Sequence, residues 1–381
     1  MRFAVDAHVI GRHLTGNEVY VRNLLDGFAE LDRESDFIAY LSVPHAGLSV
    51  PGRFATRLVS TNPFVRLGHQ LSRRVREDRP DLLHVQYTAP LACPVPVIVS
   101  VHDVSFLEHP EFFTWSRAFQ LRRTVSRTIR SAARILTPSE FSRRTIVRAY
   151  GLSGENIVVV PAAVSPLFRT IVRENAAAVV TKRFAIPGPY VLSVGDLQPR
   201  KNQIGLIHAF EDLIRSQPRL PHHLVLVGQD TWYGGRVRAA AERSDVADRI
   251  HFTGFVNDED LLQLYGGCDL FVFPSLYEGF GFPVLEAMAC GRAVACSRCS
   301  AIPEVADAAA IFFDPRSVPD IARAMRDVLL DSELRSRMER LGQQNAARFS
   351  WERTARRTLE VYYEVAGAGQ KRASQASATR S

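Results

Sequence analysis

Short apolar runs alternate with segments of helical periodicity along nearly the whole chain. In the first half, the runs predicted as strands are RFAVDAHV, FIAYLSV, ATRLVS, LLHVQY, VPVIVSVHDV, RILTPS and NIVVVPAAV. In the second half they are YVLSVG, HLVLVG, IHFTG, LFVFPS, AVACS and AAIFFD. Helical spacing is found between some of these runs, over residues 19–31, 140–150, 202–214 and 258–265. This alternation is typical of parallel sheets covered on both faces, so it predicts an α/β protein with two Rossmann-like domains in series.

The length of 381 residues also favours two domains over one core. A polar and charged stretch between Ala162 and Gly188 separates the two series of strands. Ser350 is predicted to cap a last helix that runs through Tyr363. The small and polar residues after it are predicted to be a disordered tail. The predicted segments are 1–165 and 166–349 for the domains, 350–365 for the last helix and 366–381 for the tail.

The stretch PSLYEGFGFPVLEAMACG, residues 274–291, follows the apolar run LFVF and holds the strongest functional pattern. Its polar and flexible positions are Glu278, Gly279, Gly281, Glu286 and Gly291. A strand, a glycine loop and a helix start bring free N–H groups and the positive helix end together, which favours an anion. Glu278 on the loop and Glu286 in the helix could bind two hydroxyl-bearing parts of one ligand, as in a nucleotide-sugar. For the spacing alone, two solvent-facing glutamates are the alternative.

Composition narrows the class of protein. The chain is 46% hydrophobic and 23% charged, as in soluble globular proteins, and its net charge of +7 suits anionic partners. We expect a cytoplasmic protein, because the N-terminus does not resemble a signal peptide and no apolar run is long enough to span a membrane. Cys296 and Cys299 form a C-x-x-C without a second ligand pair, so reduced structural thiols are expected.

Arginines are concentrated between Trp115 and Ala149, where there are nine of them and one acid, Glu140. Apolar residues at helical spacing, such as Phe119 and Val125, run through the same stretch. A basic amphipathic helix of this kind can lie on an anionic membrane. An arginine-rich, solvated helix face is the alternative, and both remain open for the 115–148 stretch.

Basic residues also follow the first strand of the second half, in VGDLQPRKN. Arg200 and Lys201 lie at a strand-to-helix junction, where two positive charges and helix N–H groups could hold a diphosphate. Such charges can neutralise a leaving diphosphate without Mg²⁺. A solvated pair at a helix start is the alternative.

Two motifs of the first half end strands or open helices. Gly16, in HLTGNEVYVRNLL, is predicted as a turn glycine that lets a phosphate or an acceptor approach the backbone, although a plain turn would look the same. His102 and Asp103 close the strand VPVIVSVHDV, where a polar pair suits an active site or caps the next helix.

Other chemistry lacks support. The acids at 258–260 match an Asp-x-Asp metal motif formally, but they open an amphipathic helix, where acids complement the helix dipole. No Walker-type Gly-Lys-Ser/Thr and no Gly-x-Gly-x-x-Gly in a strand–helix turn is present, and nothing resembles a Ser–His–Asp elbow. We predict no metal site, no cofactor and no nucleic-acid partner.

The 274–291 stretch resembles the donor-site signature of the retaining glycosyltransferases of family 4 (GT4), which have the GT-B fold. The matching positions are Pro274, Ser275, Glu278, Gly279, Phe280, Gly281, Pro283, Glu286, Ala287, Ala289 and Gly291. The resemblance implies an N-terminal acceptor domain and a C-terminal donor domain that face a cleft. It also implies that the last helix crosses back to the N-terminal domain.

The same resemblance implies a role for each candidate residue in metal-independent sugar transfer. Glu286 would bind ribose hydroxyls and Glu278 the sugar hydroxyls. The leaving diphosphate would be stabilised by amides near Phe280 and Gly281, with Arg200 and Lys201. Gly279 and Gly16 would also belong to the donor-binding site. His102 would stabilise the reacting sugar, while the leaving phosphate takes the acceptor proton. Many relatives have Gly-Arg where this chain has Gly195-Asp196. Neutralising the leaving diphosphate would therefore fall to Arg200 and Lys201.

The variants PRKN and EGFGFPVLEAM look most like mannosyltransferases of surface-polysaccharide assembly, which suggests GDP-mannose as the donor. UDP-glucose and related UDP-sugars are the alternative donors. A lipid-linked glycan, a polysaccharide or a small molecule fits as the acceptor. A nucleotide-sugar epimerase and a non-catalytic nucleotide-sugar-binding protein are alternatives from other classes.

Overall fold

A computed structural model describes residues 1–12 and 15–378. Its strands follow the apolar runs of the sequence. They are β1 Arg2–Asp6, β2 Asp36–Leu41, β3 Ala55–Leu58, β4 Leu82–Gln86, β5 Val97–Ser100, β6 Arg134–Thr137, β7 Ile157–Val159, β8 Tyr190–Val194, β9 His223–Val227, β10 Ile250–Gly254, β11 Leu270–Phe273, β12 Val294–Ser297 and β13 Ile311–Phe313.

Helices connect most of these strands. They are α1 Thr15–Leu31, α2 Pro63–Val65, α3 Leu71–Asp78, α4 Ser105–Glu108, α5 Trp115–Ser131, α6 Glu140–Tyr150, α7 Arg173–Phe184, α8 Gln203–Ser216, α9 Gly234–Glu242, α10 Asp258–Gly267, α11 Phe282–Ala289, α12 Ile302–Ala306, α13 Val318–Leu330, α14 Ser332–Ala346 and α15 Trp351–Ala378. Short 3₁₀ turns cover Pro44–Ser49, Pro110–Phe112, Pro199–Lys201, Ala247–Arg249 and Asp307–Ala309, and Arg66–Gln70 is a π-helical turn.

The first of two compact units comprises Met1–Ala162 and the chain from Ser350 onward. Its seven-stranded parallel sheet has the order β3-β2-β1-β4-β5-β6-β7. Strands β4 and β5 are buried along their whole length, because helices cover both faces of the sheet. The last helix, α15, packs on α1 so closely that a Cβ on Gly27 would lie 2.6 Å from the Cβ of Ala355.

The second unit, Ala163–Phe349, has a six-stranded parallel sheet with the order β10-β9-β8-β11-β12-β13. Apolar side chains of its strands, such as Val191 and Leu224, pack with Leu206 and Phe210 of α8 in one core. From β8 the chain moves outward to β9 and β10, then returns to β11 on the other side of β8. The carboxyl ends of β8 and β11 therefore flank the topological switch point, where α/β sheets bind ligands.

The predicted α/β fold with two Rossmann-like parallel sheets is confirmed, and helix 140–150 has the predicted bounds. Three local expectations differ. The strand that we predicted through Val104 ends at Ser100, and Gly16 lies in the first turn of α1 instead of in a turn before it. The last helix continues to Ala378, past the start of the predicted tail, because many residues there are good helix formers. Residues 379–381 of that tail, and His13 and Leu14 before Gly16, lie outside the described residues.

No helix in residues 1–12 and 15–378 combines the length and apolar character that a bilayer crossing requires.

Candidate active site

The loop after β11 is fastened to the loop after β8. The N–H of Leu276 donates to the carbonyl of Arg200 at 2.8 Å, and the Ser275 hydroxyl oxygen lies 3.2 Å from the same carbonyl oxygen. On the other side, the Glu278 N–H donates to the Ser300 hydroxyl at 2.9 Å. These bonds hold Glu278 at the switch point, beside the turn that carries the two candidate cations.

Glu278 binds both cations. Lys201 Nζ lies 2.6 Å from Glu278 Oε1, and Arg200 Nη1 lies 3.0 Å from Oε2. The Ser275 hydroxyl also donates to Oε1. The side chains of Lys201 and Glu278 are only 11% and 9% exposed, so this is a nearly buried ion cluster. The residues predicted to bind a diphosphate and those predicted to bind a sugar therefore lie in direct contact.

The cluster sets the ionisation of its members. Burial would raise the pKa of Glu278, but the charges of Arg200 and Lys201 and their hydrogen bonds outweigh it, so the pKa lies below its usual value. Burial lowers the pKa of Lys201, Arg200 lowers it further, and Glu278 opposes both. The carboxylate is consequently an acceptor at neutral pH.

Glycines allow the approach of the lysine. Gly195 has φ +153°, and a Cβ there would lie 3.1 Å from Cδ of Lys201. Behind it, a Cβ on Gly228 would lie 2.2 Å from the Gly195 carbonyl oxygen. The lysine ammonium ends 4.8 Å from the ring centre of Phe273. Asp196, the position that departs from the family pattern, accepts the Gln229 N–H at 3.2 Å and so joins the two loops.

The glycine loop leads into α11 as predicted. Gly281 has φ +127° and precedes the helix, with Pro283 in the first turn. The Phe280 ring is buried and makes edge contacts with Phe282 and Phe349, which fixes the loop. Among the described residues, the N–H groups of Phe280 and Gly281 have no hydrogen-bond acceptor. They and the helix start remain available to an anion.

The carboxyl group of Glu286, one turn into α11, has one hydrogen-bond partner among the described residues. The Tyr265 hydroxyl at the end of α10 donates to Glu286 Oε2 at 2.8 Å. Burial raises the pKa of Glu286 to about 7, which the bond from Tyr265 partly counters. This carboxyl group therefore changes charge near neutral pH, unlike Glu278.

The remaining candidates, His102 and Gly16, belong to the first unit. His102 follows β5, and its Nε2 lies 2.9 Å from Gln86 Oε1. Burial lowers the pKa of His102 to about 4, so the imidazole is neutral at pH 7. Asp103 Oδ1 accepts the N–H of Ser105, the first residue of α4, at 2.8 Å.

The acids at 258–260 lie in the first turn of α10, where Asn257 Oδ1 accepts the Asp260 N–H at 2.9 Å. Across the described ranges, no group of three or more His, Cys, Asp or Glu side chains could hold a metal ion. Cys299 donates to the carbonyl oxygens of Ser275 and Leu276, so this thiol supports the Glu278 loop.

Two contributors were missed by the sequence analysis. Ser275 was part of the signature, but its bond to Glu278 was not foreseen. Tyr265 carries no signal in the sequence, because an aromatic residue near a helix end is ordinarily core.

Two family models match the chain. "Glycosyltransferase Family 4" matches residues 14–166, and "Glycosyl transferases group 1" matches residues 182–345. O-antigen chain mannosyltransferase B of Escherichia coli is 33% identical over 265 residues, which cover 70% of this chain and 69% of that protein. Serotype-specific mannosyltransferase WbdA of the same species is 32% identical over 240 residues, or 62% of this chain, and the match spans only 29% of WbdA.

A solved structure shares the fold over nearly the whole chain. Anabaena Alr3699/HepE, in a complex with UDP-glucose, has a TM-score of 0.75 at 18% identity, and the match covers 95% of this chain and 99% of that one.

Proposed function

The chain belongs to the family 4 glycosyltransferases, and from this membership we propose that it moves a hexose from a nucleoside-diphosphate sugar to an acceptor hydroxyl with retention of configuration. The proposed donor is GDP-mannose, and the proposed acceptor is a glycan or a lipid-linked glycan. One observation carries the proposal: Lys201 and Arg200, charges suited to a diphosphate, converge on Glu278 at the switch point of the donor-side unit.

Lys201 and Arg200 stabilise the departing diphosphate in this proposal. An ammonium group has three N–H donors, and Glu278 accepts from Lys201 at only one position. The two cations carry one more positive charge than the Glu278 carboxylate neutralises. This surplus charge, with the N–H groups of Phe280 and Gly281, faces the negative charge that develops as the sugar leaves. We propose that no metal ion is required.

Glu278 binds the hydroxyl groups of the donor sugar. Its oxygens already accept from Lys201, Ser275 and Arg200, and a carboxylate has about four acceptor positions, so one more hydroxyl can be bound. Because the cations keep this group ionised, it can only accept hydrogen bonds. It therefore selects hydroxyl donors and is fixed in orientation before the substrate arrives.

Glu286 binds the ribose. Tyr265 binds Oε2, which leaves Oε1 to accept from the ligand, and a carboxylate accepts two neighbouring hydroxyls well. His102 assists the reacting sugar as a neutral imidazole, and Gly16 allows close approach at the start of α1. No protein base is proposed, because the leaving phosphate takes the acceptor proton.

The proposal of mannose follows from the relatives, since both E. coli proteins above are named mannosyltransferases. A UDP-sugar is the second candidate donor, because the fold relative HepE was solved with UDP-glucose. The acceptor class follows from the O-antigen chain named for the first of the two relatives.

We further propose that the protein is cytoplasmic and touches an anionic membrane through α5. Within residues 115–148, β6 separates α5 from α6, and the proposal concerns α5, whose Val125 is buried. Trp115 is 80% exposed and stacks on the half-exposed Phe119 at 5.5 Å. The same helix carries four exposed arginines, Arg117, Arg122, Arg123 and Arg130, and the Arg123 guanidinium lies 5.1 Å from the ring centre of Phe119. Aromatic and cationic groups together suit an anionic lipid surface.

Sedimentation with vesicles tests the membrane contact. The full-length chain should sediment with phosphatidylcholine vesicles that contain phosphatidylglycerol, and not with pure phosphatidylcholine. Trp115→Ser should reduce sedimentation, whereas Trp232→Ser, at an exposed tryptophan of the second unit, should not. Equal behaviour of the two variants would leave α5 as a solvated helix.

The transfer itself is tested with the full-length chain, GDP-mannose and EDTA, against mannose, a mannose disaccharide and a polyprenyl diphosphate-linked sugar. NMR of the product gives the configuration of the new bond. An α-linked product supports retention from the α-linked donor, and a β-linked product contradicts it. Conversion of the donor without any acceptor would indicate an epimerase, and binding without turnover would indicate a non-catalytic protein.

A further inference from the structure

The side chain of Arg66, in the π-helical turn of the first unit, is buried. Its relative exposure is 5%, and its Nε and Nη1 have no hydrogen-bond partner among the described residues. Its ion pair with Asp6, the one it makes within the described part of the chain, is long, with Nε at 3.7 Å from Asp6 Oδ2. A structural arginine–carboxylate pair would have short, paired N–H···O bonds. Buried N–H donors without an acceptor are energetically unfavourable, and a bound ligand that accepts from this guanidinium would remove that cost.

The position of Arg66 suits ligand binding. Asp6 is the last residue of β1, and in the order β3-β2-β1-β4-β5-β6-β7 the chain reverses its direction of growth between β1 and β4. The carboxyl ends of these strands mark the first unit's own switch point. The π-helical turn Arg66–Gln70 interrupts a helical stretch there, and such turns are frequent at functional sites.

Further groups that favour an anion lie at the same strand end. His8 Nδ1 lies 3.0 Å from Asp6 Oδ1, so the acid already has a partner besides Arg66. Arg12 is near enough for its charge to lower the pKa of Arg66, after the larger effect of burial. A Cβ on Gly11 would lie 3.1 Å from Nε2 of His45, so the His45 imidazole lies beside Gly11 in the segment that follows β1.

We propose that Arg66, with Arg12 and His8, forms an anion-binding subsite for a phosphate group of the acceptor. The inference rests on the proposed function, since only a transferase has an acceptor. A phosphate oxygen pair accepts two parallel N–H bonds from a guanidinium, through Nε and Nη2 or through Nη1 and Nη2, so a bound phosphate would pair one of the two unpaired donors of Arg66 in this way. The phosphate belongs either to a free phosphorylated sugar or to a lipid-linked glycan.

The first test uses inorganic phosphate and the full-length chain with Lys201→Ala, which weakens the anion site of the donor side. Calorimetry should show saturable phosphate binding in this protein. Arg66→Gln, added to the same background, should weaken that binding at least about tenfold, as expected for a lost charge-assisted pair. Arg66→Lys keeps the charge without the fork and should fall between the two. It also decides the question if the glutamine variant does not fold.

The matched control is Arg73→Gln, an exposed arginine of α3, which should bind phosphate as the background protein does. Absence of phosphate binding in the background protein would overturn the inference, as would equal affinities of the Arg66 and Arg73 variants. The proposed function fails separately. If nucleotide diphosphates do not bind the wild-type chain, the transferase site is wrong, whereas intact nucleotide binding with no Arg66 effect rejects this subsite alone.

Competition distinguishes the two phosphate sources. Displacement of phosphate by mannose 6-phosphate, and not by mannose, would support the subsite with a free phosphorylated sugar as its ligand. Displacement by a short polyprenyl diphosphate-linked sugar would support it with a lipid-linked acceptor. Displacement by neither compound would contradict the acceptor role.

Discussion

The Nζ atom of Lys201 lies 2.6 Å from Oε1 of Glu278, although the two residues are 77 positions apart in the chain. Both side chains are nearly buried, and Arg200 completes the cluster at 3.0 Å. The free protein thus holds the charges that we propose for the diphosphate and the carboxylate that we propose for the sugar as one preformed cluster. Little rearrangement of these groups is needed when the donor binds.

Replacing Lys201 by alanine should reduce turnover at least about tenfold, because one charge that stabilises the leaving diphosphate is lost. The Glu278 carboxylate keeps Arg200 as a partner, so the fold should persist. Steady-state rates with saturating donor measure the effect. Lys182→Ala, at an exposed lysine of α7, is the matched control and should retain wild-type turnover. Equal rates for the two variants would reject the catalytic role of Lys201.

Glu278→Gln should lower the free energy of unfolding by roughly 3–5 kcal/mol, because it leaves two buried cations without their counter-charge. The effect depends on pH. The folded pKa of Glu278 lies below its ordinary 4.5, so its stabilisation is present above that pH and is lost as the pH falls through the lowered value. Urea unfolding of the wild-type chain and of Glu278→Gln at pH 7 and at pH 3 measures the loss of unfolding free energy and its dependence on pH. Glu242→Gln, at an exposed glutamate of α9, should be nearly neutral, and a similarly neutral Glu278→Gln would show that the cluster is not formed in solution.

Donor affinity should rise with pH through about 7, the raised pKa of Glu286, because only the ionised carboxylate accepts from both ribose hydroxyls. Tyr265→Phe removes the hydrogen bond that lowers this pKa, so the midpoint should move to higher pH. The sign for stability is opposite to that for binding. A carboxyl group with a raised folded pKa stabilises the folded state fully below its ordinary 4.5, and this contribution is lost as the pH rises from 4.5 through about 7. Calorimetric titration of the donor from pH 6 to pH 8 gives the profile.

Glu286→Gln is the control for this profile, since a glutamine cannot ionise, and it should bind the donor weakly with no dependence on pH in that range. A wild-type profile that is flat, or a mutant profile that keeps the same midpoint, would assign the titration to another group.

Gly228→Ala should destabilise the second unit by roughly 2 kcal/mol or more, because the added Cβ would lie 2.2 Å from the Gly195 carbonyl oxygen. The displacement would also move the loop that presents Lys201. Gly235→Ala is the matched control, since no atom lies within 4 Å of its added Cβ and alanine favours the helix. Thermal unfolding should therefore show a lower Tm for Gly228→Ala only. Equal Tm values for the two variants would mean that the loops around Gly195 and Gly228 move apart without loss of stability.

Much of the fold could be predicted, because buried parallel strands appear in the sequence as continuous apolar runs. The bounds were less accurate where polar residues decide them. The run before His102 leaves the sheet at Ser100, and Gly16 starts α1 instead of preceding it. The helical end of α15 could not be distinguished from a tail by composition alone, since alanine, glutamine and lysine suit both.

The site could be predicted as a set of residues but not as a set of contacts. Glu278 and Lys201 were assigned to different parts of the donor, and their pairing depends on β8 and β11 being neighbours in the sheet. Nothing local in the sequence encodes that neighbourhood. Tyr265 and Arg66 were missed for the same reason, because a tyrosine at a helix end and an arginine before a helix acquire meaning only from what they face.

Binding of nucleotides by the intact chain tests the central claim most directly. A thermal-shift screen against GDP, UDP, dTDP, ADP and their sugar conjugates, with EDTA present, needs no knowledge of the acceptor. We expect a rise in Tm with GDP, a larger rise with GDP-mannose, and loss of both rises in Glu286→Ala. A rise in Tm with UDP and UDP-sugars alone would make a UDP-sugar the donor and leave the position of the donor site unchanged. No shift with any nucleotide, or a shift that Glu286→Ala leaves unchanged, would contradict the assignment of this cluster as the donor site.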